Sequence, residues 1–479
     1  MQRTARGMPM RKPALGLLGA AALSGCNLTP TYVRPSSPVP AAYSSTNGQA
    51  GETASAISWE SFFGDSRLKA YIAAALANNR DLAAASARIE QARAQFRIRQ
   101  SQRLPHLNGN SSGTRTRVPL GSLGLGDALG NGSVTYDQYA VQVAVSAFEL
   151  DFWGRVRNLS EAARRQYLGT IEAQRAFRLS LISDVAATYY GIRADEEGID
   201  LAERTVVSRK QGLDIAKLRL DAGVTSSVDY DQAAALLTQA ETELAELQRT
   251  TEQQRNQLLV LIGGPLSLSL PEGRPIGDAG QFEALDPGLP SALLESRPDI
   301  LQAEQQLRAA NANIGAARAA FFPTISLTGA FGFVSPQLDG LFKGANENWS
   351  AGASAALPIF DWGKRKADLD VAKAQRDELV ATYQRTVQNA FREVSNALVG
   401  RQRYREQIVA QERAVAAQRR LAETAMLRYE NGIAIYLEVL DAQRNLFAAE
   451  QQLIRLRATE LQNGVSLYIA LGGGTDNVK

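Results

Sequence analysis

The chain states most of its sequence twice, and that duplication limits the folds open to it. Leu76-Ala77-Asn78-Asn79-Arg80-Asp81-Leu82 returns as Leu294-Glu295-Ser296-Arg297-Pro298-Asp299-Ile300, 218 positions later. Phe148-Glu149-Leu150-Asp151-Phe152-Trp153-Gly154-Arg155 returns, two residues shorter, as Ile359-Phe360-Asp361-Trp362-Gly363-Lys364. From that Trp onward the offset is 209, so Gly223 maps to Gly432, Glu241 to Glu450 and Gly263 to Gly472. One order of elements therefore runs twice, with nine extra residues in one loop of the first copy.

The two ends carry other information. Arg3, Arg6, Arg11 and Lys12 precede an apolar run, Ala14 to Leu23, too short to span a bilayer. Residues 1–25 read as a secretory signal peptide. It ends in Leu23-Ser24-Gly25-Cys26, the bacterial lipobox pattern, in which the Cys thiol is acylated and becomes the new N-terminus. Cys26 is the only cysteine, and a lone Cys in an exported chain asks for such a role. Asn27 follows it, where lipoproteins retained at the inner membrane carry Asp, so outer-membrane sorting is expected. Removing residues 1–25 takes away four cations and no acid, leaving 48 Lys and Arg against 49 Asp and Glu. The basic balance belongs largely to the leader, and no argument for nucleic acid follows from it. The mature part holds no apolar run of transmembrane-helix length, so a membrane crossing would have to use strands.

Residues 26–65, with Pro30, Pro35, Pro38 and Pro40, read as a lipid-anchored extended segment. The first repeat, 66–264, opens with a helical pattern from about Ser66 to Leu104, stopped by Pro105. A β-hairpin at 107–149 follows, with Tyr139, Val141, Val143 and Val145 alternating against Ala140, Gln142, Ala144 and Ser146. In the second repeat, 291–474, the hairpin at 324–360 sets Ile325, Leu327, Phe331 and Phe333 against Thr324, Ser326 and Thr328. Aromatics sit at the strand ends, among them Trp153, Phe322, Trp349 and Trp362, as in the interfacial girdles of membrane barrels. An ordinary half-buried hairpin fits the same alternation. After each hairpin a stretch of more than 60 residues without Pro predicts one helix of about 100 Å. Gly223 or Gly432 then stands at a helix C′ position, and a returning helix runs to Gly263-Gly264 or Gly472-Gly473. Residues 265–290 link the copies, and 475–479 form a C-terminal tail. Four strands cannot close a barrel, so closure requires several chains, and a trimer supplies twelve strands.

The lipobox, the duplication, Asp361-Trp362-Gly363-Lys364 at the entry to the long helix, and Leu427-Arg428-Tyr429-Glu430-Asn431-Gly432 followed by Val439-Leu440-Asp441-Ala442-Gln443-Arg444 resemble a TolC-type outer-membrane efflux factor. The likeness is greater to the lipoprotein branch serving resistance-nodulation-division pumps and covers 26–474. It implies an α+β membrane protein: a homotrimeric 12-stranded outer-membrane β-barrel, four strands per chain, continuous with a long periplasmic α-helical barrel. It implies a passive exit duct for drugs or other small molecules in a Gram-negative outer membrane, gated at the periplasmic helix tips. The partners implied are a periplasmic adaptor, an inner-membrane pump and outer-membrane lipid. No cofactor is implied beyond covalent lipid on Cys26.

By position, Tyr429 and Gly432 match the family's Tyr-x-x-Gly tip, and Gly223 and Gly432 mark the adaptor-docking tips. Glu438 and Asp441 match two acidic positions that ring the aperture, Leu437 an apolar ring beside them, and Asp229 an acidic latch. The family's latching Arg is Ala434 here, with Arg428, Arg219 and Arg444 as the nearby cations. Threefold symmetry would crowd Glu438 and Asp441 about one axis and make a cation ring. Taken alone, the same two residues fit a solvated helix face or partners of a helix N-terminus.

No enzyme is expected. His106 is the single histidine, beside Pro105, and no nucleophile–base pair, metal cluster or phosphate loop appears. A duct for type I protein secretion and a trimeric structural or adhesive surface lipoprotein are the other readings. A sustained heptad, which a coiled-coil stalk needs, is missing.

Overall fold

The computed structural model describes residues 27–43, 52–123, 132–265, 270–278, 285–286 and 290–475. The expected signal peptide 1–25, Cys26, parts of the linker (266–269, 279–284 and 287–289) and 476–479 lie outside them. In chain order the elements are β1 (Glu52–Thr53), α1 (Trp59–Phe62), α2 (Ser66–Asn78), α3 (Arg80–Ser101), β2 (Leu107–Pro119), β3 (Ser133–Leu150), α4 (Arg155–Asp221) and α5 (Ser227–Leu261). The second copy follows as β4 (Leu285–Asp286), α6 (Leu293–Ser296), α7 (Pro298–Ala319), β5 (Thr324–Ser335), β6 (Glu347–Ala356), α8 (Lys364–Glu430) and α9 (Tyr436–Ala470). The duplication is visible in the lengths: α4 and α8 each have 67 residues, α5 and α9 each 35. The extra length of copy one lies at the tip of its hairpin, where β3 has 18 residues against 10 in β6.

Two departures from the sequence reading have local causes. The first helix is broken at Asn79, whose backbone is extended at ψ 129. Its carboxamide oxygen accepts from Leu82 N at 2.8 Å and caps α3, while Nδ2 donates to Leu261 O at 2.9 Å. The extended segment also ends earlier than 65. Phe62 and Phe63 are buried, and Phe62 stacks on Tyr468 with ring centroids 4.1 Å apart.

The chain divides into two compact units. One holds 27–34, Glu90–Leu168 and Gln305–Ala381. Its sheet is antiparallel throughout, in the order β2-β3-β5-β6. A bulge between Val145 and Phe148 interrupts the β3–β5 ladder, with Ala147 at φ 62. Residues 27–34 lie along α7: Asn311 Nδ2 donates to Pro30 O at 2.7 Å, and the Arg308 guanidinium sits 4.7 Å from the Tyr32 ring centre. The other unit holds 35–89, 169–304 and 382–475. Its core gathers Leu68, Ile72, Val185, Tyr190, Ile300, Tyr383, Leu461 and Tyr468. Asp65 is buried but fully used, accepting from Arg67 N, Leu68 N, Tyr189 Oη and Arg274 N at 2.7–3.3 Å. The helices pack closely at equivalent glycines. A Cβ on Gly191 would stand 2.7 Å from Gln254, and one on Gly400 would stand 2.3 Å from Asn463. Among the described residues no helix is long and apolar enough to cross a membrane.

Candidate functional site

The residues singled out in sequence converge at the turns joining α4 to α5 and α8 to α9. Both turns are built alike. Gly223 donates its N–H to Leu220 O at 2.9 Å and Val224 to Arg219 O at 2.9 Å; Gly432 donates to Tyr429 O at 3.0 Å and Ile433 to Arg428 O at 2.8 Å. This double closure is the Schellman cap, which needs a left-handed residue at C′, and both glycines have φ +71. A Cβ on either would meet nothing within 4 Å, so the requirement is one of backbone conformation and both tips face open space.

Beneath the turns lies a small apolar core of its own. Tyr429, Tyr436, Val439 and Leu440 bury against Ala216, Ala233 and Ala425. The Tyr429 and Tyr436 rings lie 4.9 Å apart, and the Arg219 guanidinium sits 4.5 Å over Tyr429. Tyr436 reaches α4 at Gly212, where a Cβ would stand 2.6 Å from its hydroxyl. Burial, then the neighbouring Tyr429 and Asp229, pushes the Tyr436 phenol up to about 12.

The buried residues of α9 recur at 436, 439 and 440, which turns 437, 438 and 441 outward. Leu437, Glu438 and Asp441 accordingly share one exposed face of the first two turns. Arg428 Nη1 lies 3.3 Å from Glu438 Oε2, bridging the last turn of α8 to the first of α9. Arg444 lies 3.0 Å from Asp441 on the same helix. Asp229 accepts from the Thr225 hydroxyl, a side-chain contact local to the start of α5. Within the chain, then, Arg428 and Arg444 take the carboxylates of Glu438 and Asp441, and Arg219 takes a tyrosine ring. Ala434 supplies only a backbone N–H, to Arg428 O at 3.3 Å. Tyr436 and Gly212 escaped the sequence reading. Tyr436 stands where copy one has Ser227, and Gly212 is a glycine inside a long helix; that pairing of departures from the repeat was their signal.

Comparison with known proteins gives the family of the whole chain. The family model "Outer membrane efflux protein" matches residues 71–264 and 289–473. The solvent efflux pump outer membrane protein SrpC of Pseudomonas putida is 41% identical over 436 residues, covering 90% of this chain and 91% of that protein. The cation efflux system protein CusC of Escherichia coli K12 is 39% identical over 424 residues, 88% of this chain and 90% of that one. The open-state crystal structure of the Neisseria gonorrhoeae MtrE outer membrane channel superposes with a TM-score of 0.85 at 36% identity, covering 94% of this chain and 99% of that one.

Proposed function

The chain belongs to the outer membrane efflux protein family and is the outer membrane channel of a tripartite efflux pump, and we propose that it is a passive duct for small molecules gated at its helix tips. The relatives named for solvent and for cation efflux share the fold, so the fold itself does not select cargo. Selection then falls to the inner-membrane pump, and the duct needs only to open and close.

The observation that carries the gate is the tip geometry. A buried aromatic knot fixes α9 against α4 and α8, and its opposite face presents Leu437, Glu438 and Asp441 to solvent. In a trimer that face supplies three copies of each carboxylate. With Arg428 and Arg444 drawn to the same carboxylates, the ring can be locked by ion pairs or left open to cations. Exposed pairs of this kind hold less than about 1 kcal/mol each, which suits a closure that a docking partner must undo. Cys26 carries the lipid in this reading, and a periplasmic adaptor meets the tips at Gly223 and Gly432.

Single-channel conductance in planar bilayers tests it. Wild type should show a small, cation-selective conductance. Glu438→Ala with Asp441→Ala should raise the conductance and abolish the cation preference. An unchanged conductance in the double variant would sink the gate assignment. Bulky residues at Gly223 and Gly432 should weaken adaptor pulldown; retention at wild-type level removes the docking assignment.

A further inference from the structure

The two faces of the four-stranded sheet differ in chemistry. Partners across the ladders share a face, so Val141, Val143, Phe331, Phe333 and Trp349 lie together on one side. Asn110, Gln142, Thr328, Ser350 and Gly352 lie on the other. In the channel reading the first face meets lipid and the second meets water. Along the first face of β3, toward the hairpin tip, the side chains change character at Tyr139. Val143 and Val141 come before it, and Asp137 and Thr135 after it. The partners on β2 change at the same rung. Gly109 and Ser111 stand below, Gly113 faces Tyr139, and Arg115 and Arg117 stand above. The Tyr139 ring lies over Gly113, where a Cβ would stand 3.3 Å from it. A tyrosine at this place marks the edge of the hydrocarbon.

We propose that Arg115 and Arg117 form a docking site for the phosphorylated headgroup of an outer-leaflet lipid. This rests on the channel reading, which puts the hairpin tips outside and this face against lipid. A charge on the lipid face is strongly disfavoured at the midplane and tolerated near the interface. With strands tilted ~40° and rising ~3.3 Å per residue, Arg115 and Arg117 stand about 5 and 10 Å above Tyr139, in the headgroup layer. The site belongs to the first copy alone. The residues 218 positions on are Phe333 and Ser335, and β5 ends at Ser335, level with Tyr139. Each arginine is held but not used up. Arg115 pairs side-on with Asp137, Nε to Oδ1 at 2.6 Å and Nη2 to Oδ2 at 2.8 Å, which leaves the Nη1 edge to another acceptor. Its side chain is 75% exposed. Arg117 Nε donates to Ser133 Oγ at 2.7 Å, and a neutral hydroxyl leaves the charge uncompensated at that contact. The other acid among the described strand residues of this face, Glu347, pairs with Phe333, three strands across from β2 and two rungs below Arg115. Two planar forks, two residues apart on one strand, suit phosphate oxygens, which accept paired N–H groups. Asp137 fixes the Arg115 fork, and Tyr139 packs beside the first acyl carbons.

Native mass spectrometry of the full-length protein, delipidated in detergent, tests the site. The probes are diphosphoryl lipid A, phosphatidylcholine and inorganic phosphate. Wild type should retain one lipid A per chain under activation that strips phosphatidylcholine. Excess inorganic phosphate should leave that lipid in place, and displacement would make this a site for free phosphate and overturn the lipid assignment. Arg115→Gln with Arg117→Gln should weaken lipid A binding about tenfold or more, the loss expected of charge-assisted hydrogen bonds. Arg117→Gln alone leaves the Arg115–Asp137 pair standing, and covers the case in which the double variant fails to assemble; its affinity should fall between the two. Arg117→Lys keeps the charge without the fork and should lose less than Arg117→Gln. Asp137→Asn has the opposite sign. It releases Arg115 from its internal partner and should tighten lipid A binding, although it removes an ion pair from the hairpin. A structural role for the pair would make Asp137→Asn weaken binding as the glutamines do, and that result overturns the proposal. Equal lipid A affinity in wild type and Gln variants, all trimeric, overturns the site and leaves the channel reading intact. A wild-type chain that stays monomeric would instead overturn the channel reading.

Discussion

Gly212 shows how much one absent methyl group can set. Its Cα hydrogen faces the Tyr436 hydroxyl, and a Cβ there would stand 2.6 Å away. Tyr436 cannot easily retreat, because Tyr429 and the alanines of α4, α5 and α8 enclose it. Gly212→Ala should therefore destabilise the tip by about 1–3 kcal/mol, as overpacking does. Limited proteolysis at the 223 and 432 turns would read the loss. Adding Tyr436→Phe to Gly212→Ala removes the clashing oxygen and should restore protection. The same phenol makes the tip sensitive to alkali. Its folded pKa, about 12, lies above the ordinary tyrosine value, so its contribution is complete below about pH 10 and lost as pH rises through 12. Tyr436→Phe should flatten that part of the alkaline profile. Gly223 and Gly432 were legible in sequence because the Schellman cap leaves a signature at a fixed place after a helix. Gly212 and Tyr436 were not, because they lie far apart in the chain and meet only when α9 packs on α4.

At the scale of elements, the repeat was readable and its interruptions less so. The spacing of Ile72, Leu76 and Leu82 stays helical across Asn79, so periodicity alone runs through the break. The second copy marks the same break more plainly. Pro298 stands at the first position of α7, where proline costs no hydrogen bond, and Arg80 opens α3 at the equivalent place. The bulge in β3 is hidden for a similar reason. Alternation persists on both sides of Ala147, and only the mismatch with β5 reveals the extra residue. Ala147 sits at φ 62, a left-handed conformation that costs an L-residue roughly 1–2 kcal/mol. Ala147→Gly should thus leave the barrel as stable or raise its dissociation temperature, and Ala147→Val, branched at Cβ, should lower it. Heat-modifiability of the trimer on detergent gels separates the two outcomes.

For the molecule as a whole, the open question is what holds it at the membrane, since lipid and strands both claim the task. The lipobox ending in Cys26 is the ground on which lipid attachment is proposed there. The fold shows that the segment just after it is already fixed. Residues 27–34 run along α7, with Asn311 on Pro30 O, Arg318 on Leu28 O at 3.3 Å and Arg308 over Tyr32. The sheet of one chain becomes part of a barrel whose strands alone satisfy every backbone group in hydrocarbon. Lipid on Cys26 would therefore add affinity for the bilayer without supplying the span. Lipid chains enter one leaflet only, whereas a closed barrel crosses both with its backbone groups satisfied. Cys26→Ala, exported through a cleavable secretory leader, should lose fatty-acid labelling yet still form trimers of wild-type conductance. Loss of trimers would mean that lipid acts earlier, by concentrating chains at the membrane before they assemble. In that case supplying the variant at high concentration to lipid vesicles should recover the channel, because the strands themselves are unchanged.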